Sequence, residues 1–321
     1  MTYLEAIANG LREAMRADRS VILFGEDVGA YGGAFKLSKG FLEEFGERRV
    51  IDTPISEAAI VGTAVGAALV GLRPVAEMQF ADFISNAFTQ MVNLAATSSY
   101  RAGGCVPIVV RAPCGAGTHG GPFHSQSIEG YFFHTPGLKI VMPSTPADAK
   151  GLILGAIADP NPVLYLEHKA LYRSQRGEVA EGLTILPLGR AAVRRPGRRL
   201  TVLTYGMMAH RSLEAAERAA ADGVEAEVID LRTLLPLDLE TISASVARTS
   251  RVLIVHEDRL RGGIGAEIAA YLGEHLFTSL DAPISRIGAP DTPVPYAPPL
   301  ETAYLPSVDR IYEGMIRLAR W

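Results

Sequence analysis

Short runs of β-branched and apolar residues alternate with helix-length stretches along the whole chain, and this alternation leaves few architectures open. "VILFGED", "RPVAEMQF", "VPIVVRAP", "LKIVMPS" and "PVLYLEH" come first. A polar interval rich in glycine and arginine follows, from about Gln175 to Arg199, and after it come "LTVLTYG", "EAEVIDL", "RVLIVHED" and "ISRIGAP". Strands separated by helix-length connections pair in parallel and are covered by those helices. In the second set the helical segments are "MAHRSLEAAERAAADG", "LETISASVARTS", "GGIGAEIAAYLGEHLF" and "SVDRIYEGMIRLARW", with Gly223 as a helix stop. The expected fold is α/β with two doubly wound, mainly parallel sheets. Its expected domains are residues 1–175 and 200–321, joined by a linker and lead-in at 176–199. The 321 residues suit two cores of about 150 residues each.

Composition removes several function classes. With 48% hydrophobic residues, 21% charged and a net charge of -4, this is a globular chain with no basic surface for nucleic acid. The one dense basic cluster, "RRPGRR", lacks interleaved aromatics and reads as a solvated turn. No apolar stretch reaches the ~18 residues of a membrane span, and the start "MTYLEAIANGLREAM" is helical and acidic, unlike a signal peptide. Two cysteines without CxxC spacing indicate neither a disulfide framework nor zinc, so a cytoplasmic setting is expected. "GGIGAEI" fails the dinucleotide pattern at Ile268, and "GAGTHGG" lacks the lysine and hydroxyl of a P-loop. No GxSxG elbow or HExxH pair occurs.

Two features remain. Glu57 is the only charged side chain between Asp52 and Arg73, in "DTPISEAAIVGTAVGAALVGLR". Ser56 is a candidate helix cap, which puts Glu57 in the first turn, where a carboxylate meets unpaired amides. Helix capping alone accounts for that position. The segment behind it has no polar face, however, and is expected to be buried on all sides, where low dielectric suits an acid or base. The second feature is His119 and His124, five residues apart among four glycines. Imidazoles on such a loop are candidates for function, and the loop from Cys114 to Ser127 is expected to pack weakly when no ligand or partner is bound.

Glu57 to Gly66 ("EAAIVGTAVG") resembles the glutamate-and-glycine motif with which thiamine-diphosphate enzymes bind the aminopyrimidine ring. Together with "EMQFADFI", "HSQSIEGYFFHTPGLKIVMPSTPADAKGLI" and "DPNPVLYLEHKALYR", nearly the whole chain is similar to the beta subunit of the decarboxylase component of 2-oxo acid dehydrogenases. Thr63 and Ala67 depart from the motif at packing positions. The resemblance implies a pyrimidine-binding domain followed by a transketolase C-terminal-like domain. It implies Glu57 as proton relay to the ring, Phe83 stacked on it, and Ile55 and Gln79 lining the pocket. His124 then handles the acyl group on its way to lipoamide. Backbone carbonyls of Ile108, Ala156, Asp159 and Asn161 match the family's potassium site.

The family's metal-binding GDG segment is absent. The resemblance therefore implies an alpha subunit that supplies magnesium and the diphosphate half in an alpha-two beta-two heterotetramer, with a lipoyl acyltransferase core as further partner. "QFADF", "THGGPFHSQS" and "EHKALYR" look closest to branched-chain (2-oxoisovalerate) dehydrogenases, although Phe83 stands where some of these carry tyrosine. Pyruvate and acetoin dehydrogenase beta subunits are the alternatives for substrate. A non-catalytic α/β nucleotide-binding module is the alternative of a different class.

Overall fold

The apolar runs fold as strands: β1 (Val21–Gly25), β2 (Val50–Asp52), β3 (Arg73–Glu77), β4 (Val109–Cys114), β5 (Lys139–Val141) and β6 (Val163–His168), then β7 (Ala192–Arg195), β8 (Leu200–Thr204), β9 (Ala226–Asp230), β10 (Thr233–Leu235), β11 (Val252–Arg259) and β12 (Ser285–Ala289). The structure, a computed structural model, describes all residues 1–321. It forms two compact units, Met1–Cys114 with His134–Leu188, and Gly115–Phe133 with Gly189–Trp321. The segment Gly115–Phe133 thus leaves chain order and joins the second unit. No helix is long and apolar enough to cross a membrane.

Within the first unit the strands run β5-β6-β4-β3-β1-β2, all parallel. β1, β4 and β6 are buried along their whole length, which is why they read as continuous apolar runs instead of alternating ones. Helix Tyr3–Ala17 starts in a full capping box: Thr2 Oγ1 accepts the Glu5 N–H and the Glu5 carboxylate accepts the Thr2 N–H. It packs on helix Pro146–Ala158, and at Gly10 a Cβ would stand 2.8 Å from Ile153 Cγ2.

The helix Glu57–Leu69 differs from its expected all-round burial. Ile60, Val61, Ala64, Val65 and Ala68 are buried against β3 and the segments Ala81–Ala87 and Gln90–Ala95, whereas Ala59, Thr63, Gly66 and Leu69 are exposed. A Cβ added at Gly66 meets nothing within 4 Å, so packing inside this chain does not account for that glycine. Ser56 precedes the helix but makes no side-chain cap bond.

In the second unit the sheet order is β12-β11-β8-β9-β7, parallel except for β7, which runs antiparallel to β9. The predicted helices appear as Met207–Ala221, Leu239–Thr249, Ile264–His275 and Val308–Ala319. Gly223 ends the first of them with φ +80°. "RRPGRR" forms more than a solvated turn. Arg194 and Arg195 lie in edge strand β7 and pair with Asp230 at 2.9 Å and Glu225 at 2.6 Å. Arginines on an edge strand also blunt it against further pairing.

Gly137 enters the first unit's β5 with φ +89°, and a Cβ there would lie 2.1 Å from the Ala96 carbonyl oxygen. Gly137→Ala combines a left-handed backbone with a clash against main chain, so a loss of about 2–4 kcal/mol is expected. Thermal unfolding checks this; an unchanged midpoint would show that the segment yields freely.

Candidate functional site

The carboxyl ends of β1, β2 and β3 collect the polar residues of the first unit. Glu26 and Asp27 follow β1, Ile55 and Glu57 follow β2, and Gln79 and Phe83 follow β3. The chain leaves β1 for β2 on one side and returns as β3 on the other. This is the switch point at which parallel α/β sheets open a crevice. Gln79 Nε2 donates to Asp27 Oδ2 at 3.1 Å across it.

Glu57 is buried at the head of its helix, and its Oε2 accepts from Asn86 Nδ2 at 3.3 Å. Asn86 belongs to the same Ala81–Ala87 segment as Phe83. Phe83 is half-buried and meets Phe80 edge-on, centroids 5.8 Å apart, while Ile55 is 81% exposed. Burial pushes the Glu26 carboxyl up, and the charges of Glu57 and Asp27 add to that shift. The structure therefore gathers Ile55, Glu57, Gln79 and Phe83 at three adjacent strand ends, with Glu26, Asp27 and Asn86 beside them. Sequence reasoning passed over those last three, although a carboxylate pair directly after "VILFG" was a readable signal.

A second group was also passed over. Arg111 of β4 is fully buried between Glu77 of β3 and Glu167 of β6. Its Nε and Nη2 donate to the two Glu167 oxygens at 2.6 and 2.5 Å, and Nη1 donates to Glu77. Tyr172 O–H donates to Glu167 Oε2 at 2.6 Å.

The four carbonyl residues lie just before β4 and along the chain leading into β6, at the opposite, amino ends of these strands. Ile108 precedes β4, and its carbonyl accepts the Val163 N–H at 2.9 Å. The Ala156 carbonyl accepts the Asp159 N–H at 3.3 Å. Asp159 Oδ1 takes both the backbone N–H and Nδ2 of Asn161, at 2.9 and 3.2 Å, while Oδ2 pairs with Lys139.

His119 and His124 lie in the second unit. Buried carboxylates hold their loop at separate points, while Gly117, Thr118, His119 and Phe123 stay exposed. Glu257 Oε1 accepts the Ala116 N–H at 2.6 Å. The Glu301 oxygens accept the His119 N–H at 3.2 and 3.3 Å, and Oε2 also meets His119 Nδ1 at 2.7 Å. Glu129 Oε1 accepts from Tyr205 O–H at 2.8 Å. The glycines expected to loosen the loop allow close approach instead: a Cβ at Gly121 would fall 2.3 Å from the Tyr296 ring. The glycines of "GGIGAEI" work the same way, since a Cβ at Gly265 would stand 2.6 Å from Nε2 of buried His256. They serve packing over an imidazole. Burial lowers His256 to about 4, so the ring is neutral.

Two such sheets, with polar residues gathered at the switch point of the first, define a transketolase-type architecture. Residues 1–175 match the transketolase pyrimidine binding domain and residues 189–311 the transketolase C-terminal domain. A split-gene transketolase, solved as an inactive beta4 tetramer, superposes with TM-score 0.82 over 100% of this chain and 98% of its own, at 23% identity. A Pichia stipitis transketolase does so with TM-score 0.75 at 16% identity, this chain covering 46% of it. In sequence, the chain is 49% identical to the 2-oxoisovalerate dehydrogenase subunit beta of Bacillus subtilis, over 100% of this chain and 99% of the relative. It is 44% identical to the pyruvate dehydrogenase E1 component subunit beta of the same organism, over 98% and 97%. The chain belongs to the family of thiamine-diphosphate-dependent 2-oxo acid dehydrogenase beta subunits.

The buried acids of the second unit carry a pH signature. Burial, with Asp258 nearby, raises Glu129 from 4.5 to about 8, and burial raises Asp258 to about 6. An acid whose folded-state pKa is raised contributes stability that is complete below its unfolded pKa and is lost as pH rises through the folded one. For Glu129 that window runs from about 4.5 to about 8. Over it the second unit is expected to lose on the order of a few kcal/mol, and Glu129→Gln should flatten the decline. Calorimetric unfolding from pH 5 to 8 checks this; parallel curves for the two proteins would rule Glu129 out as the source.

Proposed function

We propose that this chain supplies the aminopyrimidine half of a thiamine-diphosphate site in a branched-chain 2-oxo acid dehydrogenase. It works in the cytoplasm with an alpha subunit as an alpha-two beta-two heterotetramer, and acyl groups pass to a lipoyl acyltransferase core. The reading rests on one observation above others: a buried carboxylate, Glu57, at the head of a helix at the sheet's switch point, bound by Asn86 at 3.3 Å. Beside it stand the exposed Ile55 and half-buried Phe83. A carboxylate flanked by apolar side chains suits a flat heteroaromatic ring that carries a basic nitrogen.

Thiamine diphosphate, when bound, supplies the nucleophilic carbon and the electron sink for decarboxylation. The chain holds and tunes it. Glu57 exchanges a proton between its carboxylate and the ring nitrogen, Phe83 and Ile55 bear on the ring, and Gln79 lines the pocket from its bond to Asp27. Glu26, whose carboxyl burial pushes up with the Glu57 and Asp27 charges adding to it, is a further acid beside this site. His124 handles the acyl group. The alpha subunit holds magnesium and the diphosphate. The carbonyls of Ile108 and Ala156 each keep a lone pair beyond the N–H they accept, which suits a potassium ion held with Asp159 and Asn161. The higher identity to a 2-oxoisovalerate subunit than to a pyruvate one favours branched-chain substrates.

Glu57→Gln preserves shape and removes the exchangeable proton. With alpha subunit present, it is expected to keep cofactor binding and lose decarboxylation by about 10²–10⁴-fold; near-normal turnover would reduce Glu57 to a structural residue. Calorimetry on the isolated chain with magnesium and thiamine diphosphate is expected to show weak binding that tightens when alpha subunit is added. Tight binding before that addition would overturn the half-site reading.

A further inference from the structure

The imidazole of His119 is held as deliberately as any side chain in the second unit. Its backbone is left-handed, φ +60°, a conformation uncommon among non-glycine residues, though histidine and asparagine adopt it more readily than most. Glu301 holds it. This carboxylate is buried, with 2% of its side chain exposed, and comes from helix Pro298–Tyr304. It receives the His119 backbone N–H on both oxygens and the ring Nδ1 on one, at 2.7 Å. The ring itself is 51% exposed. A buried carboxylate bonded to Nδ1 fixes the proton there, and Nε2 becomes the nitrogen that exchanges protons with whatever approaches the open side of the ring.

We propose that Glu301 is a positioning residue and His119 a second working imidazole of this subunit, delivering a proton from Nε2 to the sulfur released when the lipoyl disulfide is opened. This rests on the beta-subunit reading above. Two electrons from the decarboxylated substrate cleave the S–S bond. They form a bond between the fragment's carbon and one sulfur as the S–S bond breaks; loss of the fragment's hydroxyl proton and of its bond to the carrier that held it leaves it at the acyl level as a thioester, while the other sulfur departs as a thiolate. That thiolate takes the Nε2 proton of the imidazolium, and the ring is left neutral with its remaining proton on Nδ1, against Glu301. The tautomer that this step requires is the one Glu301 selects. His124 lies five residues along the same loop, and the exposure of the His119 ring suits a ligand that arrives on a flexible arm.

The test has two parts. In the isolated ¹⁵N-histidine-labelled chain, nitrogen chemical shifts should report His119 as the Nδ1–H tautomer, and Glu301→Gln, whose amide can both donate and accept, should mix the tautomers. A pure Nε2–H tautomer in the wild type, or no change in the variant, overturns the dyad. In the complex with alpha subunit, His119→Asn is the informative variant, because asparagine tolerates the left-handed backbone and keeps the N–H bond to Glu301. It should slow acylation of free lipoamide by about 100-fold through kcat, with KM for lipoamide little changed. Decarboxylation coupled to an artificial dye acceptor should stay within about threefold of wild type. Equal losses in both reactions would make His119 a structural loop residue, and unimpaired lipoamide acylation would remove it from the reaction. If the wild-type complex performs neither reaction, the subunit reading fails and the proton role falls with it, while the spectrum still decides the dyad.

Discussion

Arg111 is the charge on which the first unit is assembled. It sits on β4 with β3 and β6 as direct neighbours, and its guanidinium reaches a carboxylate on each, Glu77 and Glu167. Parallel strands have no hairpin turns to set their register, so an ionic clasp across three of them fixes how their carboxyl ends align. Removing one partner of such a group leaves an unpaired buried charge, which costs about 3–5 kcal/mol. The clasp also constrains the chain beyond β3. The Met78 N–H donates to the Arg111 carbonyl at 3.0 Å, so the segment that carries Gln79 and Phe83 starts from a fixed point. Burial pushes the Glu77 carboxyl up, and the Arg111 charge beside it opposes that shift.

Carboxylates organise the second unit in a different way. There they act on a loop instead of on strands, and the partner is mostly backbone N–H. Glu257 holds Ala116 and Glu301 holds His119, so glycine-rich chain that would otherwise sample many conformations is tied at fixed points. A carboxylate acceptor makes each such bond stronger than a neutral one, and the Ala116 bond is buried as well. The glycines then permit close contact, as Tyr296 over Gly121 illustrates.

The parts of this molecule that were legible in sequence are those governed by periodicity. The nine quoted apolar runs cover all but at most one residue of each of the strands β1, β3, β4, β5, β6, β8, β9, β11 and β12, because buried parallel strands are largely apolar on both faces. β7 was hidden because an arginine-rich edge strand lacks that pattern, and its arginines look like solvated charge until Asp230 and Glu225 are seen beside them. Glu57 was legible because it stands alone in an apolar segment. Glu77, Arg111 and Glu167 were not, because each sits at or near the end of an apolar run and looks like an ordinary strand terminus. Only the register that aligns three strands turns them into one group. The Glu301 contact with His119 spans 182 residues, a separation at which no local pattern carries information.

The Glu57 helix joins these themes. Its amino end carries the buried acid, and its side carries Ala59, Gly66 and Leu69, exposed beside an equally exposed Val70. The chain does not keep such a face for its own packing, since a Cβ at Gly66 would touch nothing. Small residues along a helix permit backbone to approach backbone, and a beta subunit has an alpha partner to approach. If that face is where the partner lies, covering it also removes water from the helix that carries Glu57 and strengthens every electrostatic interaction of its carboxylate. The acid and this exposed face share one helix, so in the reading proposed above whatever positions the face also positions Glu57.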